Sequence, residues 1–200
     1  MYTKNDLCIV IIFFNGEESI IEHVKILKRQ FPHLLIINNG SGPTATDILV
    51  RLSEIKDITI INNKTNMGIG YALNQALEYA LHKDIKLLLT LDQDSEITEE
   101  TILKMLNKVD ISSKVVSVGP YYGEKFNNII EDKNVKYLIT SGNIIDVHTA
   151  FNIGGFNSAL FIDCVDIDFS FNLLSNNYRM MKVGGTFMHH KIGEVDRSRF

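Results

Sequence analysis

Tryptophan is missing from this chain of 200 residues, and proline (three) and cysteine (two) are scarce. Two cysteines, Cys8 and Cys164, cannot build a disulfide scaffold. Both fall in apolar runs, where buried, reduced thiols are expected. Long hydrophobic runs are lacking too. The longest, Leu7 to Phe14, is far short of the ~20 residues a membrane-spanning helix needs, and no charged n-region with a small-residue cleavage site accompanies it. Basic residues are not in excess: 20 Lys+Arg face 24 Asp+Glu, a formal charge of -4. Counterion-driven binding to nucleic acid needs the opposite balance, so no nucleic-acid partner is expected. With few prolines, 13 glycines and no biased tract, no linker or disordered arm is assigned. These absences together point to a cytoplasmic protein.

What is present is an ordinary globular composition, 45% apolar and 22% charged, read as one domain over residues 1–200. Leu7 to Phe14 is continuously apolar and rich in β-branched and aromatic residues, as a strand covered on both faces requires. After Asn15-Gly16, the residues Ile20, Val24, Leu27 and Phe31 recur at helical spacing until Pro32. The unit repeats. Strand Leu34 to Ile37 leads through Asn38-Asn39-Gly40-Ser41 to a helix with Ile48, Leu52 and Ile55, then to strand Ile58 to Ile61. A third helix carries Ala72, Leu73, Ala76, Leu77, Ala80 and Leu81, and Lys86 to Leu91 is the next strand. Such alternation predicts an α/β fold with a parallel sheet and helices on both faces.

Beyond Asp92, Thr98 is a predicted N-cap with Ile97 and Ile102 as a hydrophobic staple. Further strands are predicted at Val115 to Val118, Tyr137 to Thr140 and Met180 to Val183, the last followed by a turn at Gly184-Gly185. Residues 119–136 read as a surface excursion, and Asp163, Asp166 and Asp168 stand at the start of a helix running to Asn176.

In open α/β sheets ligands bind beyond the carboxyl ends of the strands, which directs attention to the loops after them. Asp92-Gln93-Asp94 puts two carboxylates on one short turn after a buried strand, where a hard divalent cation is a natural counter-charge. Thirteen aspartates make about 0.8 such triplets by chance, so position rather than occurrence carries the signal, and a turn cap is the rival reading. Mg²⁺ fills its remaining positions with water and phosphate oxygens, which implies a phosphorylated substrate. The cluster at Asp163, Asp166 and Asp168 reads equally as a general base with a raised pKa and as acidic charge at a helix N-terminus. His189-His190 offers a ligand or an exposed pair without a role, and Lys191 stands ready for a phosphate. Neither a Walker sequence nor a nucleophile elbow is present.

Taken together, these segments resemble family 2 glycosyltransferases of the GT-A fold, most of all bacterial rhamnosyltransferases of surface-polysaccharide synthesis. The resemblance runs from Ile9 to Glu194. Ile37-Asn38-Asn39-Gly40-Ser41 is similar to the family's V-D-N-G-S segment, Asn66-Met-Gly-Ile-Gly-Tyr-Ala-Leu-Asn74 to its N-x-G-x-x-x-A-x-N stretch, and Leu91-Asp-Gln-Asp-Ser95 to its D-x-D metal motif. Phe161 to Phe169 resembles the segment of the catalytic base, and His190-Lys-Ile-Gly193 a late H-x-x-G.

The resemblance implies a Rossmann-like, mostly parallel sheet and an inverting transfer from a TDP- or UDP-linked sugar, with rhamnose as the branch's sugar, to a polysaccharide or lipid-linked glycan. It implies Mg²⁺ or Mn²⁺ held by Asp92, Asp94 and His190. The donor would be bound by Phe14, Asn15, Asn38, Asn66, Gly68, Asn74, Asp92, Gln93 and Lys191, and Asp166, or failing it Asp163, would be the base. A lipid-linked acceptor would be met by peripheral contact at the inner face of the plasma membrane. The departures are Asn38 in place of Asp, Val165 in place of an acidic residue, Asn172 in place of Arg, and an end at Phe200 where relatives continue. Asn38 keeps an amide oxygen able to accept from a pyrimidine N3–H. These departures leave a rival expectation, a catalytically impaired or truncated nucleotide-binding module that assembles with a partner.

Overall fold

The computed structural model describes residues 1–123 and 131–188. Along the chain run β1 (Leu7–Phe13), α1 (Ser19–Gln30), β2 (His33–Asn38), α2 (Thr46–Ser53), β3 (Thr59–Asn62), α3 (Ile69–His82), β4 (Leu87–Asp92) and α4 (Glu99–Leu106). They are followed by β5 (Val115–Tyr122), β6 (Lys133–Val135), β7 (Asn143–Asp146), α5 (Val147–Asn152), α6 (Val165–Ser175) and β8 (Arg179–Met188). The eight strands form one sheet in the order β3-β2-β1-β4-β7-β5-β8-β6. Pairings β1–β2, β1–β4, β2–β3 and β5–β8 are parallel, whereas β4–β7, β5–β7 and β6–β8 are antiparallel. The sheet is therefore mostly parallel, as expected.

The side-chain period of two explains why β1 is apolar throughout. Leu7, Ile9, Ile11 and Phe13 pack with Ile20, Val24 and Leu27 of α1 and with Ile102 and Met105 of α4 on one face. Cys8 and Val10 join Ala72, Leu73 and Ala76 of α3 and Phe169 of α6 on the other. Fully burying one such Leu or Ile is worth about 1.5–3 kcal/mol, so both helical layers depend on this strand. The Thr98 hydroxyl accepts from the Thr101 N–H at 3.2 Å, and Ile97 and Ile102 are buried, which is the predicted cap and staple.

Four expectations are corrected. Residues 137–140 form no strand; β7 lies just beyond them and runs antiparallel between β4 and β5, with Leu89 opposite Ile144. Apolar residues occur in both segments, and only the gap between β4 and β5 selects the second. The interval 119–136 is not all excursion, because β5 continues to Tyr122 and β6 pairs with β8. Strand β8 does not end at Val183 but passes through Gly184-Gly185. Its partners jump from Gly119–Lys182 to Tyr121–Phe187, so the glycines belong to a bulge, with Gly185 at φ +66°. Finally, Cys8 is buried, its thiol pushed up to about 12 by burial, but Cys164 is exposed because it sits at φ +65° just before α6. Among the described residues no helix is long and apolar enough to cross a membrane.

Candidate active site at the carboxyl ends of β1 and β4

Chain order reverses at β1. From it the sheet grows through β2 to β3 on one side, and the chain returns through α3 to place β4 on the other. Crossovers α1 and α3 thus diverge, and a crevice opens beyond the carboxyl ends of β1 and β4. Ile12 lies in register with Asp92, so the loop after β1 and the Asp92-Gln93-Asp94 turn must meet there.

A cleft of about 410 Å³ occupies this place, its walls including Phe14, Asn39, Asn66, Asp92, Asp94 and Phe161. Gln93 and Gly68 also border it. A second cleft of about 250 Å³ shares Ile69, Asp92 and Ile162 with the first and adds Thr140, Ser141, Asp163, Cys164 and Asp166. Asp92 stands where the two meet. The structure therefore unites the Asp92–Asp94 turn with the Asp163–Asp166 segment, although some 70 residues separate them in sequence.

The walls are held by amide side chains. Gln93 Oε1 accepts from the Phe14 N–H at 3.0 Å while its Nε2 donates to the Phe14 carbonyl at 3.3 Å. Asn39, only 3% exposed, donates to Asn66 Oδ1 and the Gly68 carbonyl, and its Oδ1 accepts from Asn63 Nδ2 and the Met67 N–H. Every hydrogen-bonding group of this amide is thereby used, which freezes the loop entering α3. Gly68 has φ +84°, and a Cβ there would lie 2.6 Å from the Phe161 carbonyl oxygen, which accepts from the Ile69 N–H at 2.8 Å. Only glycine permits this approach.

Three expected donor-binding residues lie outside the cleft walls. Asn15 closes the neighbouring turn, donating through its main chain to Ser41 Oγ and accepting from the Gly42 N–H at 2.7 Å. The Asn38 amide donates to Asn62 Oδ1, and its oxygen, expected to meet a pyrimidine N3–H, accepts from the Ser41 N–H at 3.0 Å. Asn74 spends both ends of its amide on the Phe156 main chain, each at 2.8 Å. Asn172, one of the departures noted in the sequence, donates to the Ile153 carbonyl. His190 and Lys191 lie outside the described residues.

Asp166 is half-buried in the first turn of α6, its Oδ1 accepting from the Ile167 N–H at 2.8 Å, while Asp163 and Asp168 are exposed. Tyr122 lies close to this group. Burial pushes its phenol upward, and the Asp92 and Asp166 carboxylates add to the rise. Sequence reasoning missed Tyr122, Ser141, Phe161 and Ile162. The apolar pair before Asp163 was a signal, since Phe161 and Ile162 are 53% and 68% exposed. Among the described residues no three His, Cys, Asp or Glu side chains converge as a metal cluster. Asp92 and Asp94 do offer two carboxylates to one cleft, the donor set Mg²⁺ takes when phosphate oxygens and water supply the rest.

Fold and cleft define the class: an α/β protein with a crevice at its topological switch point, faced by the Asp92 and Asp94 carboxylates. The chain belongs to glycosyl transferase family 2, whose model matches residues 8–163, and it has the GT-A fold of glycosyltransferases. It is 24% identical over 213 aligned positions to dTDP-rhamnosyl transferase RfbF of Shigella flexneri, covering 96% of this chain and 71% of that protein. Among solved structures it resembles GalNAc-T7 with UDP, GalNAc and Mn²⁺, with a TM-score of 0.76 at 12% identity over 92% of this chain and 43% of that one. It also resembles the mannosyltransferase PcManGT of Pyrobaculum calidifontis in complex with GDP-Man and Mn²⁺, with a TM-score of 0.74 at 14% identity, over 96% and 58% of the two chains. The chain thus spans about half the length of these solved structures.

Proposed function

We propose that the joined clefts carry out an inverting, metal-dependent transfer from a TDP- or UDP-linked sugar to a hydroxyl of a polysaccharide or lipid-linked glycan. The observation that supports this reading is the junction at Asp92, where a cleft walled by Asp92 and Asp94 meets one walled by Asp163 and Asp166; the first would take the donor and the second the acceptor. Single displacement with inversion needs a base on the face opposite the leaving group.

Asp92 and Asp94 would hold Mg²⁺ or Mn²⁺, with His190 as a further candidate ligand. When bound, the cation supplies positive charge against the diphosphate that departs. Asp166 is the proposed base. It takes the acceptor's hydroxyl proton as the new C–O bond forms at the anomeric carbon, while the electron pair of the broken bond leaves with the diphosphate. Half-burial and the shared second cleft favour Asp166; Asp163 in the same wall is the alternate. Phe14, Asn66 and Gly68 would line the nucleotide, with Asn15, Asn38 and Gln93 shaping the loops around it, Asn74 bracing α3 from outside the cleft and Lys191 meeting a phosphate. Ile69 and Ile162 border both clefts and give their junction, where the transferred sugar would sit, an apolar side. That side suits the methyl group of a 6-deoxy sugar and supports rhamnose, the sugar in the name of the Shigella relative. Exposed Phe161 and Ile162 at the mouth support a lipid-linked acceptor met at the inner face of the plasma membrane.

The test is Asp166→Asn assayed with TDP-rhamnose and UDP-sugars in the presence of Mn²⁺. Transfer is expected to disappear while TDP affinity by calorimetry stays within about three-fold, since removing general-base catalysis costs about 10²–10⁴ in rate. Loss of both would make Asp166 a binding residue. Metal-dependent binding by the native protein with no turnover would favour a binding module instead.

A further inference from the structure

Behind Asp92 lies a seam of buried hydroxyls for which the transfer reaction has no direct use. Ser141, 1% exposed, accepts the Asp92 main-chain N–H at 3.0 Å through its hydroxyl oxygen and donates its proton to Ser95 Oγ at 2.8 Å. Ser95 closes the same turn, its N–H donating to the Asp92 carbonyl at 3.2 Å. The Ser141 carbonyl in turn accepts the Tyr122 hydroxyl at 2.9 Å. Next door, the Gly142 N–H donates to the Thr90 carbonyl at 2.7 Å, and the Thr90 hydroxyl bonds the Thr140 carbonyl. A Cβ on Gly142 would lie 2.8 Å from Met188 Sδ, so the segment packs closely against the end of β8.

One short segment, residues 140–142, is thereby stitched to β4 at Thr90, to Asp92 and to Ser95. Two carboxylates on a three-residue turn repel, and without restraint the turn would splay them. Buried hydrogen bonds resist this better than exposed ones, because no water competes for their partners.

We propose that Ser141 is a positioning residue that holds the Asp92–Ser95 turn in the shape that presents Asp92 and Asp94 together to a divalent cation, with Tyr122 anchoring Ser141 from behind. The inference rests on the metal-dependent reading above. Supports of this kind, one step removed from the ligands, change metal affinity by about 10–100-fold when removed.

The experiment measures Mn²⁺ affinity by electron paramagnetic resonance at saturating TDP, and TDP affinity in EDTA by calorimetry. It uses the native chain, Ser141→Ala, Ser141→Thr, Tyr122→Phe and Asp92→Asn. Ser141→Ala is expected to weaken Mn²⁺ about ten-fold or more with metal-free TDP binding unchanged. Ser141→Thr, which keeps the hydroxyl, is expected to restore most of the loss. Should Ser141→Ala fail to fold, Tyr122→Phe decides, since it removes only the hydroxyl that grips the Ser141 carbonyl and must weaken Mn²⁺ in the same direction. Native-like Mn²⁺ affinity in Ser141→Ala, or in a folded Tyr122→Phe when Ser141→Ala is lost, overturns the proposal, and so does equal weakening in Ser141→Ala and Ser141→Thr. If Asp92→Asn abolishes Mn²⁺ binding in that case, the metal reading survives alone; if the native chain binds no Mn²⁺, both fail.

Discussion

Gln93 holds Phe14 by both ends of its side-chain amide, accepting from the main-chain N–H at 3.0 Å and donating to the carbonyl at 3.3 Å. The residue between the two candidate metal ligands is thus the clasp that joins the loop after β1 to the end of β4. Only an amide can both donate and accept in this way. Gln93→Glu loses the donor and adds a third carboxylate to the turn. We expect it to cost about 1 kcal/mol in urea unfolding and to weaken Mn²⁺-dependent TDP binding, while Gln93→Ala costs about 2 kcal/mol through two lost bonds. Unchanged unfolding midpoints for both variants would remove the clasp from the account.

Asn74 provides the contrast. Its two 2.8 Å bonds to the Phe156 main chain pin α3 to the segment after α5, well placed for stability but outside the cleft walls. Asn74→Ala should lose about 2 kcal/mol while TDP affinity at a temperature where the variant is folded stays within two-fold. A large loss of affinity in a fully folded variant would return Asn74 to the nucleotide.

The two thiols should differ sharply in reactivity. Cys8 is buried with its thiol held protonated, whereas Cys164 is exposed in the wall of the second cleft. An aromatic disulfide reagent is expected to titrate one thiol rapidly in the native chain and the second only after denaturation. Cys164→Ser should abolish the rapid phase. If sugar nucleotide plus Mn²⁺ leaves the rate at Cys164 unchanged, the transferred sugar does not reach past the junction into the second cleft.

His23 sets an acid limb on stability. Burial holds its pKa below the ordinary 6.5, although the nearby Glu96 charge works the other way, and its Nε2 finds no hydrogen-bond partner among the described residues. The unfolded chain therefore binds the proton more readily than the folded one. This contribution to stability is full above pH 6.5 and declines as pH falls toward the folded value. His23→Leu should flatten the slope below pH 6.5 and add about 1 kcal/mol at pH 7, because a buried unpaired nitrogen is removed. A slope identical to that of the native chain in chemical denaturation would assign the acid limb elsewhere.

Much of the fold was legible because its signals are local. A strand buried on both faces must be apolar throughout, and β1, β2 and β4 are; amphipathic helices at 3.6-residue spacing announced α1 and α3. The misplaced strand at 137–140 shows the limit. Choosing between Tyr137 to Thr140 and Asn143–Asp146 depended on which segment fills the space between β4 and β5, a matter of neighbours far along the chain. Cys164 was misread for a similar reason: an apolar run predicts burial, but the left-handed residue before α6 turns this one outward.

The amino-acid order by itself determined that β1 and β4 are buried strands and that aspartates follow one of them, since period and composition act over a few residues. Tertiary structure alone decided that Asp92 borders both clefts, that the Asn38 amide donates to Asn62, and that Ser141 stands behind the Asp92 turn. Those relationships join segments 24 to about 70 residues apart. Side-chain amides and hydroxyls take whichever partners the fold brings within about 3 Å, and most of those pairings come from the packing of the sheet rather than from spacing along the chain.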